Sequence, residues 1–215
     1  MATRFYFSSD QVMDYLSPSF SGAWSGTSQA TRYKMFTEKR NSSIAAGSTI
    51  DLVNTAGGKY LDRQYISQPF AREQVISGVC TGYLMVREFA TTDNVDRVCC
   101  AMRLINNTGG TKAIIIPLNA YGTTAEFVNA TTHRNKQMIS NQALTTATGA
   151  VGDRLVLELG YTNTTAGTTP QASAKWGESG TDLPLNETQT TDGAGWFDIT
   201  PNLVFSKGII QNIFT

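Results

Sequence analysis

The sequence has few residues of the kinds that build catalytic or metal sites. Its 215 residues include one histidine, His133, and three cysteines. A zinc site with several histidines is therefore excluded, and a Ser-His-Asp or Cys-His arrangement would depend on this one ring. No GxSxG motif supplies a nucleophile. We interpret His133 as a surface or loop residue, and we predict that the chain is not an enzyme and carries no cofactor.

The chain also lacks an excess of charge, a long apolar run and a leader-like N-terminus. Seventeen basic residues balance seventeen acidic ones, so the basic face that binds phosphates is missing and we expect no nucleic-acid partner. The sequence has no apolar run of about 18 residues, so we expect no membrane span. The opening MATRFYFSSD lacks the basic-then-apolar layout of a secretory signal, so we expect a soluble chain without a cleaved leader.

Cysteines are too few for a disulfide framework. Cys99 and Cys100 are neighbours that must point to opposite faces of a strand. A Cys80–Cys100 bridge between paired strands stays open. The odd count and the missing leader favour three reduced thiols that act as small core residues.

Alternation of apolar and polar residues is the strongest positive signal. In the segment RLVLELGY, Leu155, Leu157, Leu159 and Tyr161 share one face, which predicts a half-buried strand over 154–161 with Glu158 on the open face. Truncation of Leu157 is expected to destabilise the fold, and truncation of Glu158 to be neutral. Weaker patterns predict further strands near 3–7, 65–70, 74–89, 96–105, 113–117, 125–128, 137–139, 172–177 and 196–205.

This many short strands, separated by Gly-, Asn- and Thr-rich turns, predict an all-β fold. We expect an antiparallel β-sandwich of the jelly-roll kind, forming a single domain. Residues 61–215 form the sandwich. Residues 1–60 supply a first strand and a long irregular N-terminal arm that packs on the sandwich or on a neighbouring subunit.

The arm is rich in aromatic residues but has little regular pattern. Aromatic and arginine side chains dominate interface hot spots, so we predict that the arm is an assembly surface. Truncation of Trp24 is then expected to leave a folded sandwich that no longer attaches. The predicted interface residues are Phe20, Trp24, Arg32, Tyr33 and Phe36.

Two further groups are weighed as ligand sites. The acidic segment 178–192 offers carboxylates for calcium, but its spacing matches no EF-hand loop, so a solvated acidic loop is favoured and no metal site is predicted. Aromatic side chains on a sheet face can form a sugar platform, although burial in the core is the favoured interpretation. The candidates for that platform are Tyr161, Trp176 and Trp196.

Six segments spread along the chain are distinctive: TRFYFSS, LSPSFSGAW, LDRQYISQPF, VISGVCTGYLMVREF, VGDRLVLELGYTNTT and KWGESGTDLPLNETQTTDGAGWFDI. Together they resemble β-sandwich proteins encoded among the structural genes of tailed bacteriophages and prophages. The resemblance runs over most of the chain. It implies a virion component that is made in the host bacterial cytoplasm.

From these observations we predict that the chain is a non-enzymatic virion structural protein. Our first choice is a capsid decoration, or cement, protein that stabilises the shell by bridging subunits. A neck or tail accessory protein and a receptor-binding carbohydrate module are the alternatives. The expected partners are major capsid, neck or tail proteins and further copies of the chain, with a glycan only under the last alternative.

Overall fold

Strands account for the regular structure of the described residues in the computed structural model, and these residues contain no helix. The structure describes residues 2–11, 18–40, 43–47, 49–52, 56–90, 93–123, 127, 132–164 and 170–206. The strands are β1 (Thr3–Gln11), β2 (Thr31–Phe36), β3 (Ala45–Ala46), β4 (Ile50–Asp51), β5 (Lys59–Ser67), β6 (Gln74–Ile76), β7 (Val79–Glu88), β8 (Val95–Ile105), β9 (Thr111–Ala120), β10 (Arg134–Ala143), β11 (Ala147–Gly149), β12 (Arg154–Asn163), β13 (Gln171–Trp176) and β14 (Trp196–Ile199). The predicted all-β sandwich is confirmed.

Most strands belong to one sheet that folds over on itself, with the order β3-β13-β7-β14-β1-β2-β5-β12-β8-β9. Strands β10 and β4 join this path by pairing with β7 and β13, while β6 and β11 form a separate two-stranded ribbon. Side chains from both ends of the path share one buried core, as the contacts of Phe7 on β1 with Tyr65 on β5 and Trp176 on β13 illustrate. The two layers of the sandwich are therefore the two halves of this sheet.

One pair departs from the predicted antiparallel arrangement. Strand β2 runs parallel to β5, with Thr31 opposite Arg63 and Met35 opposite Ser67. Its other neighbour, β1, is antiparallel. Parallel neighbours need a long connection, and residues 37–58 provide it.

The N-terminal residues form interior strands of the sandwich. Strand β1 lies between β14 and β2, and β2 lies between β1 and β5. The predicted irregular arm thus contains a regular strand, in which Tyr33 and Met35 face the core while Arg32, Lys34 and Phe36 alternate with them. The segment between these strands that the structure describes, residues 18–30, lies over the outer face of β5, β12 and β8; we call it the strap.

Strand β12 is buried on both faces. Leu155, Leu157 and Leu159 lie in the central core, as predicted. The opposite face, expected to be open, is also covered: Val156 packs with other apolar side chains, and Glu158 is fully buried. The prediction of a half-buried strand is wrong because the strap adds a further layer outside it.

Local backbone geometry explains where the predicted strands end. Gly78, with φ +87°, divides the predicted segment 74–89 into β6 and β7. The last predicted strand, 196–205, stops at Ile199, two residues before Pro201. Of the predicted strand 125–128, only Phe127 belongs to the described residues, and it is not in a strand.

The cysteines lie inside the sandwich as free thiols. Cys80 and Cys100 belong to the central core, while Cys99 contacts Trp24 and Leu61 on the opposite face of β8. The alternation expected for neighbours in a strand is therefore observed. No Cys80–Cys100 bridge forms.

Candidate functional site

Trp24, the central residue of the predicted interface, is buried in its own chain. Its indole ring packs against Leu61 and Cys99, and only 7% of the residue is exposed. Its Nε1 donates a hydrogen bond of 2.8 Å to the Glu158 carboxylate. Trp24 therefore anchors the strap to the sheet, and its expected role in binding another subunit is corrected.

Glu158 organises a buried polar network beneath the strap. Its carboxylate accepts hydrogen bonds from Arg103 at 2.7 Å, Gln64 at 2.9 Å and the Ser21 backbone N–H at 3.1 Å. Arg103 also donates to the Ser19 carbonyl at 2.7 Å. The network pairs a carboxylate with a guanidinium where both are removed from water, which is the condition for tolerating them there, and it leaves Arg103 Nε without a hydrogen-bond partner among the described residues.

Tyr33 is likewise a core residue. Its ring lies 5.8 Å from that of Tyr65, and the Arg63 guanidinium stacks on it at 4.0 Å from the ring centroid. Tyr33 is 8% exposed, so it offers almost no surface to a partner. Its predicted interface role is corrected for the same reason as that of Trp24.

The other three predicted residues lie at the outer face of β2, two on the strand and one on the strap. Arg32 and Phe36 are half-buried on that face, with Phe20 of the strap beside Arg32. The Arg32 guanidinium stacks on Phe20 at 4.1 Å, and the Arg40 guanidinium stacks on Phe36 at 4.5 Å. Two cation–π pairs thus lie at the two ends of one strand face. We call the set Phe20, Arg32, Lys34, Phe36 and Arg40 the cation–aromatic row.

The acidic segment 178–192 is a largely solvated loop, as interpreted, but two of its residues, Glu178 and Leu183, are buried. Leu183 and Trp196 pack together there, and Trp196 Nε1 donates to the Leu183 carbonyl at 2.7 Å. Its carboxylates have protein partners: Glu178 accepts from the Arg40 backbone, and Asp192 pairs with Lys175. Among the described residues, no group of three or more His, Cys, Asp or Glu side chains is placed to hold a metal ion.

Of its interpretation as a surface or loop residue, only the loop part holds for His133, which lies outside the strands but is buried. It lies just before β10, and its Nε2 is 3.2 Å from Ser173 Oγ. Burial, with Arg87 and Lys175 nearby, lowers the pKa of His133 to about 4. The neutral ring and the buried Ser173 have little access to a substrate, since His133 is 5% and Ser173 1% exposed.

The three aromatic residues considered for a sugar platform are all buried, as the favoured interpretation predicted. Trp176 and Tyr161 lie in the central cluster, and Trp196, 3% exposed, lies in a smaller cluster with Tyr83 and Leu183. Trp196 also borders an open cavity of about 730 Å³ on the outer face of β1, β14 and β7. The other polar side chains on its wall are Arg4, Thr81, Ser140, Asp198 and Thr200.

An arginine–aspartate pair forms the polar part of this cavity. Arg4 donates from Nε and Nη2 to the two oxygens of Asp198, both at 2.7 Å, and from Nη1 to Asp182 at 2.5 Å. The hydrogen bond to Asp198 is the main reason that the pKa of Arg4 is raised. Burial favours a higher pKa for Asp182, but hydrogen bonds from Lys39 and Arg4 outweigh it and lower that pKa. The guanidinium also stacks on Trp196 at 4.1 Å.

Comparison with known proteins finds distant structural neighbours. No family model and no curated protein matches the sequence. Two crystal structures titled CocE/NonD family hydrolase from Staphylococcus aureus align with 94% and 93% of this chain, at 8% identity and TM-scores of 0.49 and 0.46. The chain spans about a third of the length of those proteins, 36% and 37%.

Because both neighbours are titled hydrolases, the prediction that the chain is not an enzyme is withdrawn. The word hydrolase describes the Staphylococcus aureus protein, and a likeness at this identity and TM-score carries no argument about an activity here.

Within the described ranges, no helix has the length and apolarity needed to cross a membrane.

Proposed function

We propose that this protein is a structural component of a tailed-bacteriophage virion, acting as a capsid decoration protein. The resemblance of most of the chain to phage structural proteins supports this class of role. The observation that carries the proposal is the cation–aromatic row, which presents Phe20 and Phe36, each under an arginine, on one half-buried face. Aromatic and arginine side chains of this kind are the anchors of protein interfaces.

Attachment through this row is compatible with the burial of Trp24 and Tyr33. These two residues hold the strap and β2 in place, so that the partly exposed residues of the row are presented on a rigid surface. A rigid surface loses little conformational entropy on binding, and this favours affinity. The expected partners are major capsid subunits and further copies of the chain, with a neck or tail protein as the second choice.

The test is quantitative mass spectrometry of purified particles, combined with co-sedimentation of added protein. Hundreds of copies per particle support decoration of the shell, and about a dozen place the protein in the neck or tail. Absence from the particles contradicts the proposal.

Variants of the row test the surface itself. Phe36→Ala and Phe20→Ala are expected to weaken co-sedimentation by roughly thirtyfold each, equivalent to about 2 kcal/mol. Ile114→Ala is the matched control, because Ile114 is an apolar strand residue that is 45% exposed on β9, away from the row. If Ile114→Ala weakens binding and the phenylalanine variants do not, the attachment surface lies elsewhere.

A further inference from the structure

The cavity on the outer face of β1, β14 and β7 has the size of a small-molecule site. Its volume of about 730 Å³ lies within the range of ligand pockets. Strand pairing fixes its floor, since Arg4 is opposite Asp198 on β1 and β14, and Asp198 is opposite Thr81 on β7. The polar groups are therefore held by paired strands and not by loops.

The polar groups of the cavity are balanced in charge. Arg4 and Asp198 line the cavity as an ion pair. Asp182 and Lys39 lie outside the lining and add one negative and one positive charge, since Asp182 pairs with both Arg4 and Lys39. A phosphate or carboxylate ligand gains no net attraction from this cluster, and neither does a cation. The cavity favours a neutral polar ligand.

Arg4 and Asp198 present donors beside acceptors. A guanidinium has five N–H groups, of which Arg4 uses three on Asp198 and Asp182 within the described residues. Each Asp198 oxygen accepts one of these bonds and keeps capacity for another. A pair of adjacent hydroxyl groups matches this arrangement, because one hydroxyl can donate to the carboxylate while the next accepts from the guanidinium.

Apolar side chains also line the cavity. Leu185 is 72% exposed and Val79 37% exposed, and both belong to its wall. A sugar ring offers C–H groups to such a wall and hydroxyl groups to the polar side. The hydroxyls of Thr81, Ser140 and Thr200 extend the polar lining.

We propose that this cavity binds a neutral saccharide through adjacent hydroxyl groups. The site is independent of the cation–aromatic row, and binding there holds whether or not the chain attaches to a particle. The free sugar and the same unit within a polysaccharide share the required chemistry.

The experiment is titration of the whole chain with a panel of neutral mono- and oligosaccharides, followed by ligand-observed NMR and calorimetry. At least one saccharide is expected to bind, with an affinity that changes little in about 0.5 M NaCl because the ligand is uncharged. Immobilised polysaccharide of the same unit then shows whether the cavity accepts a chain or only the free sugar. Absence of binding across the panel, or binding of charged saccharides alone with loss in salt, overturns the proposal.

Two pairs of variants locate the binding. Ser140→Trp fills the cavity from its exposed rim and is expected to weaken binding by at least about tenfold, whereas Ser28→Trp, at an exposed serine of the strap, is not. Leu185→Ala is expected to weaken binding several-fold, while Val151→Ala, at a valine that is 66% exposed outside the cavity, leaves it unchanged. Equal binding by all four variants shows that the saccharide lies elsewhere and contradicts the site.

Discussion

Adjacent residues of β12 show how two kinds of burial stabilise one strand. Leu157 contributes apolar area to the central core, where its favourable contribution scales with the surface removed from water. Glu158, its neighbour, faces the strap and is held by charge-assisted hydrogen bonds from Arg103 and Trp24. Removal of the first leaves a cavity, and removal of the second leaves a buried guanidinium without its counter-ion.

Truncation is therefore expected to be costly at both positions. Leu157→Ala should lower the free energy of unfolding by roughly 2–5 kcal/mol through lost burial and a residual cavity. Glu158→Ala should lower it by about 3–5 kcal/mol because Arg103 is left buried and unpaired. Urea denaturation measures both values, with Glu38→Ala at an exposed position as the control.

A neutral effect of Glu158→Ala would show that water replaces the carboxylate and that the network is not closed.

The alternation in RLVLELGY predicts which side chains share the core face, and that part is confirmed. It does not predict the state of the opposite face. That state depends on Trp24 and Ser21, which are more than a hundred residues away in the chain.

At the scale of elements, the strap covers a sheet face that a further layer of strands would otherwise cover. It contains no strand, yet its backbone bonds to the sheet at Ser25–Lys59 and Leu61–Gly26, at 2.8 and 2.9 Å. The carbonyl of Ser19 accepts from Arg103. An irregular segment can lie on a buried face in this way because the polar groups beneath it accept and donate the hydrogen bonds that a strand would make.

Trp24→Ala is expected to destabilise the protein, which reverses the expectation from the sequence. The change removes the ring from Leu61 and Cys99 and also the hydrogen bond to Glu158, and large-to-small core changes of this kind cost about 3–5 kcal/mol. Trp24→Phe keeps most of the ring and loses only the N–H, so it should have a smaller effect. Thermal melts with particle co-sedimentation separate stability from attachment.

A Trp24→Ala protein that melts like the wild type but fails to co-sediment would restore the interface role of Trp24.

The sequence did contain the signal for β2, because Tyr33 and Met35 alternate with Arg32 and Lys34. Its parallel pairing with β5 has no comparable signal. Such pairing is fixed by long-range packing, which local periodicity does not report.

For the whole molecule, two buried ionisable groups give opposite pH dependence. Burial lowers the pKa of His133 from 6.5 to about 4, so the unfolded chain binds more protons and stability falls as the pH drops from 6.5 towards 4. Burial raises the pKa of Asp62 from 3.8 to about 6, despite Arg63 and the hydrogen bond from Tyr161. The folded chain then binds more protons, and the contribution of Asp62 to stability is lost as the pH rises through 6.

The two contributions partly cancel in the wild type between pH 6 and 4, so single variants are expected to separate them. Asp62→Asn should lose more stability than the wild type on acidification, since only the His133 contribution remains. His133→Gln should lose less, because the Asp62 contribution then acts alone. Urea denaturation across this pH range measures each slope, and Glu73→Gln, at an exposed carboxyl, should follow the wild type. Identical slopes for Asp62→Asn, His133→Gln and the wild type would mean that neither group titrates differently in the folded and unfolded chains.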